Sequence, residues 1–281
     1  MKPSVIFHFQ KELDNILHVL QEGQFNPRVH FEIVGSSRKP YYLTPMTCFC
    51  DMSLSEALGG HTSKYGKFAV GVKKEWAIRK SVSPVFYTTG KNSRLTQIST
   101  SLTNTIVQLA TPHIADGVLL PESPVDTDVL YDALLFNAFV KPYVGFNPGQ
   151  SESEEYQQFW KEREWRFVPE VKGTFSNGGS IGILLTLQRA EHIWDHLEVD
   201  FDKSDRLAAI AKNGEDLKAR LNEFFSDFPL KLDSDAISYV IVEEQKDLQK
   251  VRQVLERSSV FSDVVDSVML ISLDRIGSDI I

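Results

Sequence analysis

Four short segments carry residue types that could do chemistry together: His8 in VIFHF, Tyr65 in HTSKYG, Lys74 in GVKKEW, and the run EREWR at residues 162–166. The last is the most informative. If residues 164–168 are extended, Glu164, Arg166 and Val168 share one face and Trp165 and Phe167 the other. A carboxylate and a guanidinium facing the same way suit a cleft, where Arg holds an anion and Glu stabilises developing positive charge. An ion pair on an edge strand would look the same, and the register leaves Glu162 and Glu164 as alternatives for the acid. His8, near the exit of an N-terminal strand, either aims an imidazole into that cleft or is a core histidine bonded to backbone. Tyr65 precedes Gly66, so its ring could stack on a flat ligand where backbone approaches closely, while Ser53 and His61 share the same polar turn. Ser53 also fits a helix cap. Lys74 opens a helical turn directly after a strand, a place to pair with a phosphate or simply to face solvent.

The elements that must position these residues follow from periodicity. A strand at 4–9 leads into a helix at 11–22, where Leu13, Ile16, Leu17 and Leu20 recur at helical spacing and Gly23 supplies the cap. Strands are expected at 46–50, 67–72 and 84–88, a short helix at 51–60, and two helical turns at 73–80. Residues 94–110 form the clearest helix of the first half, with Leu95, Ile98, Leu102, Ile106 and Leu109 along one face. A helix at 128–139, an extended stretch at 140–145 and a polar loop, NPGQSESEE, precede the EREWR strand. Beyond it come a strand at 181–187, a long amphipathic helix at 204–225, a strand at 237–242, a helix at 245–257 and a last strand at 268–273. Strands alternating irregularly with helices of unequal length predict an α+β fold of mixed β-sheets with flanking helices, in one domain spanning 1–281 with a helical insertion at about 92–138.

Composition narrows the function classes. With 38 acidic against 30 basic side chains, a net charge of −8 argues against a surface that coats nucleic acid or anionic lipid, although a local basic groove is allowed. Cys48 and Cys50, the only cysteines, are one residue apart on a strand, a poor geometry for a mutual disulfide, so a reducing cytoplasmic setting is expected. The N-terminal apolar run is five residues long and broken by His8, unlike a signal peptide, and no stretch is long enough to span a bilayer. GxGxxG and GxxxxGK[ST] are absent, and no second ligand pair accompanies the cysteines at zinc spacing, so no metal is expected.

The segments VIFHF, PMTCFCDMSLS, HTSKYGKFAVGVKKEWAI, SPVFY and EREWRFVP, in this order, resemble the AbiGi-type abortive phage-infection proteins, antitoxin-like members of bacterial anti-phage operons. The resemblance runs from residue 4 to about 170 and more loosely through the strand at Ile237 to the closing SLDRIGSDI. It implies a toxin or antitoxin protein as partner and, as one alternative, a non-enzymatic binder that neutralises a toxin. A more distant resemblance, in the strand bearing His, the aromatic middle and the late Glu, is to DarT-like ADP-ribosyltransferases. That one implies a split mixed sheet with NAD bound in the cleft. His8 would contact the nicotinamide side, Tyr65 or Tyr87 would stack on nicotinamide, and Glu164 would be the late acid. Lys74 and Arg166 would hold the pyrophosphate, with a nucleic acid or protein as acceptor. The loops after the first helix carry no NAD-binding glycine or arginine motif, a departure from NAD-binding patterns.

Overall fold

A computed structural model describes residues 4–32, 42–59, 65–90, 92–115, 118–119, 122–145, 157–170, 219 and 222–278. Fourteen strands are described: β1 (Val5–Gln10), β2 (Gln24–Phe25), β3 (Arg28–Glu32), β4 (Tyr42–Cys50), β5 (Phe68–Lys73), β6 (Ser83–Pro84), β7 (Phe86–Thr88), β8 (Ile114–Ala115), β9 (Val118–Leu119), β10 (Val140–Pro142), β11 (Glu164–Phe167), β12 (Leu230–Lys231), β13 (Ile237–Val242) and β14 (Met269–Ser272). Eight of them make the main sheet, in the order β14-β13-β5-β1-β4-β11-β6 with β3 also paired to β4. Its pairings are antiparallel except β13 with β14. The fold is α+β with a mixed sheet.

The long β4 is the hinge of this sheet. Its first half pairs with β3, its last four residues pair with β11, and Cys50 also faces Phe7 of β1. Glu164 on β11 is thereby set opposite Cys50, one strand removed from His8. Alternation along β1 sends Ile6 and His8 to one face and Val5 and Phe7 to the other. The first face carries the larger core, in which Ile6, Phe49, Val70, Val72 and Val240 pack against the helices Leu13–Glu22 and Gln245–Arg257. The second packs Val5, Phe7, Ala69 and Ile241 against Met52 and Ala57.

The helix Leu13–Glu22 forms because Ile16, Val19 and Leu20 fall on one buried stripe. It ends at Gly23, whose φ of 64° lets its N–H return to the Val19 carbonyl. The expected strand at 84–88 is two strands, with Ser83–Pro84 on β11 and Phe86–Thr88 running parallel to β10. Val85 between them donates its N–H to the Glu164 carbonyl, so the chain changes partner there. The strand expected at 181–187, most of the helix at 204–225, the NPGQSESEE loop and His61 lie outside the described residues.

The helix Arg94–Ala110 has the bounds its pattern implies, but its apolar stripe is left partly outside, with Leu95 and Ile106 half-buried. Ile98, Leu102 and Leu109 are about half exposed, whereas Thr96, Ser99 and Thr103 are buried. Those polar side chains are satisfied: Thr96 donates to Thr88, Ser99 to Asn137, Asn137 to Thr103, and Thr103 to the Ala133 carbonyl. Hydrogen bonding of buried polar groups therefore decides which face turns inward.

Candidate functional site

A cavity of about 740 Å³ opens at the edge where β1, β3 and β4 meet the 162–164 turn, and His8, Tyr65, Glu162, Glu164 and Lys141 all line it. Three local devices bring them together. Glu162 ends a 3₁₀ turn, Phe159–Glu162, and Arg163 follows with a left-handed φ of 43° before β11 begins at Glu164. This reversal aims both carboxylates at one ammonium, where simple alternation would align only residues two apart on a regular strand. The Arg163 carbonyl accepts from the Asp51 N–H, and its guanidinium pairs with Glu56 at 2.8 Å, so the strained residue is held at both ends.

Lys141, on β10, is that ammonium. It bonds Glu162 at 2.9 Å and Glu164 at 2.7 Å, and sits 4.6 Å from the centre of the Phe159 ring. Parallel pairing of β10 with β7 carries it there, and the same pairing places Tyr87, opposite Lys141, under Glu164. The Glu164 N–H donates to the Tyr87 hydroxyl at 2.8 Å. Glu164 also accepts from Arg166 through Nε at 2.8 Å and Nη2 at 3.1 Å. Burial raises the Glu164 carboxyl, but the Arg166 and Lys141 charges and their hydrogen bonds outweigh it and hold Glu164 well below the usual range. Glu162 follows the same logic. Burial and the neighbouring Glu164 push it up, while Lys141 and the Tyr65 hydrogen bond bring it net downward. Both acids are thus anions at neutral pH.

Tyr65 donates its hydroxyl to Glu162. Burial first, and then the Glu162 charge, raise this phenol far above its ordinary value, so it stays protonated. Gly66, at φ 120°, lies so close to β1 that a Cβ there would meet the Gln10 carbonyl oxygen at 2.0 Å. Only glycine lets Tyr65 reach the cavity against that strand.

His8 is wedged between the rings of Phe25 and Phe49, at centroid distances of 5.0 and 5.6 Å. Nδ1 donates to the Cys48 carbonyl at 2.8 Å, which leaves Nε2 to accept from the Gln10 amide at 2.6 Å. Asn15 in turn donates to the Gln10 side-chain oxygen Oε1 at 3.2 Å. Desolvation among the aromatic rings lowers the imidazole to about 4, opposed by the Cys48 bond and reinforced by the Arg28 charge. His8 is therefore a neutral, oriented group at neutral pH.

The remaining residues expected at a site stand behind or away from the cavity wall. Arg166 is fully buried and spends its guanidinium on Glu164 and the Ala138 carbonyl. Lys74 makes two 2.8 Å bonds to Asp51 and covers the Trp165 ring. Ser53 caps the helix Leu54–Gly59 with Glu56 in a reciprocal box. Neither these three nor Tyr87 lines the cavity. Sequence reasoning missed Lys141 and Gln10. Nothing local marks Lys141, whereas Gln10, two residues after His8 on a strand, had the spacing to signal a shared face. Lys11, Glu12, His18, Arg28 and His30 also line the cavity. Among the described residues no cluster of three or more His, Cys, Asp or Glu side chains could hold a metal ion, and no helix is long and apolar enough to cross a membrane.

The sequence pattern of the family described as "Putative abortive phage resistance protein AbiGi, antitoxin" matches residues 37–243. The chain belongs to the AbiGi family. A curated relative, the abortive phage resistance protein AbiGi of Lactococcus lactis subsp. cremoris, is 30% identical over 146 residues, covering 48% of this chain and 54% of that protein. The chain thus spans about half the length of the curated relative it matches. No solved structure matches it.

Proposed function

We propose that this AbiGi-family protein acts in abortive phage resistance by transferring ADP-ribose from NAD to a nucleic acid or protein, with the cavity as its site. The observation that carries this reading is the convergence of His8, Tyr65, Glu162 and Glu164, contributed by separate parts of the chain, on one cavity of about 740 Å³. That volume lies within the range of small-molecule sites. Its walls suit the substrate at both ends. Phe25 offers apolar surface beside His8 for a flat ring, and Lys11 and Arg28 in the lining offer charge to a pyrophosphate. Lys74 and Arg166 are committed to Asp51 and Glu164, so the phosphate contacts fall to Lys11 and Arg28 in this reading.

In the reaction the bond between ribose C1′ and the nicotinamide nitrogen breaks, its electron pair leaving with neutral nicotinamide. C1′ gains oxocarbenium character, which the fixed anions Glu162 and Glu164 stabilise. A nucleophile on the acceptor then bonds C1′ and loses its proton to water. Neutral His8, oriented by Cys48 and Gln10, adds no positive charge beside the cationic nicotinamide ring of the substrate. Labelled NAD incubated with the protein and bacterial extract tests this directly: label transfer is expected from the wild type and is lost in Glu164→Gln and Glu162→Gln.

The antitoxin description of the family favours a second reading, in which the chain neutralises a cognate toxin by binding it. The two readings part in phage challenge. A Glu162→Gln protein that still folds and protects cells as well as wild type supports the binder.

A further inference from the structure

The helix Arg94–Ala110 leaves an apolar seam uncovered. Leu95, Ile98, Leu102, Ile106 and Leu109 are spaced by three, four, four and three residues, so they lie on one face. Ile98, Leu102 and Leu109 are about half exposed, as is Val129 on the neighbouring helix Thr127–Phe136. We propose that this face is the interface of a symmetric dimer, its occupant the same helix of a second copy packed antiparallel across Leu102.

Three observations select a second copy. The spacing reads the same in both directions about Leu102. An antiparallel pair therefore sets Leu102 against Leu102, Ile98 against Ile106 and Leu95 against Leu109, the self-complementarity a two-fold interface demands. The seam is also free of charge: no Asp, Glu, Lys or Arg occurs from Leu95 to Ala110, in a chain whose net charge is −8, so two copies meet here without the repulsion expected elsewhere. Finally, Arg94 stands at the N-terminus of its helix, where its charge opposes the helix dipole, and neither an acidic first turn nor a basic last turn compensates it. Arg94 makes no ion pair among the described residues. Antiparallel pairing lays each Arg94 beside the partner's helix C-terminus, the negative end of that dipole. The inward face is already occupied by the Thr96, Ser99 and Thr103 hydrogen bonds, so the helix cannot bury its leucines by rotating.

The test is the mass of the full chain in solution at concentrations on the order of 10 μM by light scattering. The wild type is expected at twice the mass of one chain. Leu102→Glu, which sets two carboxylates face to face, is expected to weaken association on the order of 100-fold, with the circular dichroism spectrum unchanged. Ser101→Glu, exposed but off the seam, is expected to remain dimeric. Geometry is read with a short bismaleimide. Leu102→Cys should cross-link to dimers in high yield, Ile98→Cys should not, and the wild type reports the background from Cys48 and Cys50. A wild-type mass of one chain overturns the proposal, and if the Leu102→Cys thiol is then also unreactive the seam is covered by another part of the same chain. A dimer that persists in Leu102→Glu, or cross-links equally through Ile98→Cys, overturns it as well.

Discussion

Replacing Lys141 with Met would leave two carboxylates facing each other without the cation between them. Lys141, Glu162 and Glu164 have side chains only 14%, 10% and 6% exposed, so solvent replaces little of what is lost. Removing one partner of a buried ion pair costs about 3–5 kcal/mol, and Arg166 still compensates Glu164, which places the expected loss near about 3 kcal/mol at pH 7.5. The sign of the pH dependence is more telling than the size. In the wild type both acids are held below their unfolded values, so their contribution is present above about pH 4.3 and lost as pH falls through the folded values. Without Lys141, burial and the Glu164 charge act on Glu162 opposed chiefly by the Tyr65 hydrogen bond, and its folded value rises above the unfolded one. Stability is then present at low pH and lost as pH rises. Urea unfolding followed by tryptophan fluorescence should therefore show Lys141→Met gaining stability from pH 7.5 to 5, and Lys141→Met with Glu162→Gln recovering part of the loss at pH 7.5. A Lys141→Met protein that loses less than about 1 kcal/mol and keeps the wild-type pH profile would refute this account of the charge cluster.

His8 titrates in a separate window. Its folded value of about 4 lies below the unfolded 6.5, so the unfolded chain binds the extra proton between these limits. Stability should be complete above about pH 6.5 and fall toward pH 4 by up to about 3 kcal/mol, a slope that His8→Gln removes in pH-dependent melting. Gly66→Ala should destabilise by more than about 2 kcal/mol in urea titrations, since its Cβ would overlap the Gln10 carbonyl; Gly90→Ala, whose Cβ meets nothing within 4 Å, should cost less. Ser53→Ala should lose about 1 kcal/mol by removing a helix cap and should leave any activity of the cavity unchanged, as measured by thermal unfolding and label transfer.

Elements whose cause is local were legible before the structure. The helix Arg94–Ala110, the strand Ile237–Val242 and the helix Gln245–Arg257 have the bounds their periodicity implies, and Gly23 caps where a glycine after a leucine stripe should. Periodicity does not say which face turns inward, and at Arg94–Ala110 a hydrogen-bond network with Asn137 and Thr88 reverses the simple expectation. The alternation at Glu164–Phe167 was readable, but a guanidinium reads as a surface or cleft group, and only the Ala138 carbonyl and Glu164 make full burial of Arg166 tolerable. The meeting of Glu162 and Glu164 depends on the left-handed Arg163, which its residue type does not announce. Lys141 reaches the cluster through a parallel pairing 54 positions distant (141 − 87), beyond any local pattern.

The central claim, that the cavity shared by His8, Tyr65, Glu162 and Glu164 cleaves the nicotinamide bond of NAD, is tested most directly by nicotinamide release. Purified protein and NAD, with bacterial extract as the source of acceptor, should release nicotinamide in the wild type. Release should fall at least on the order of 100-fold in Glu162→Gln and Glu164→Gln proteins whose unfolding shows them folded. Equal release by the wild type and both variants, or none from a folded wild type that also fails to bind NAD, would contradict it.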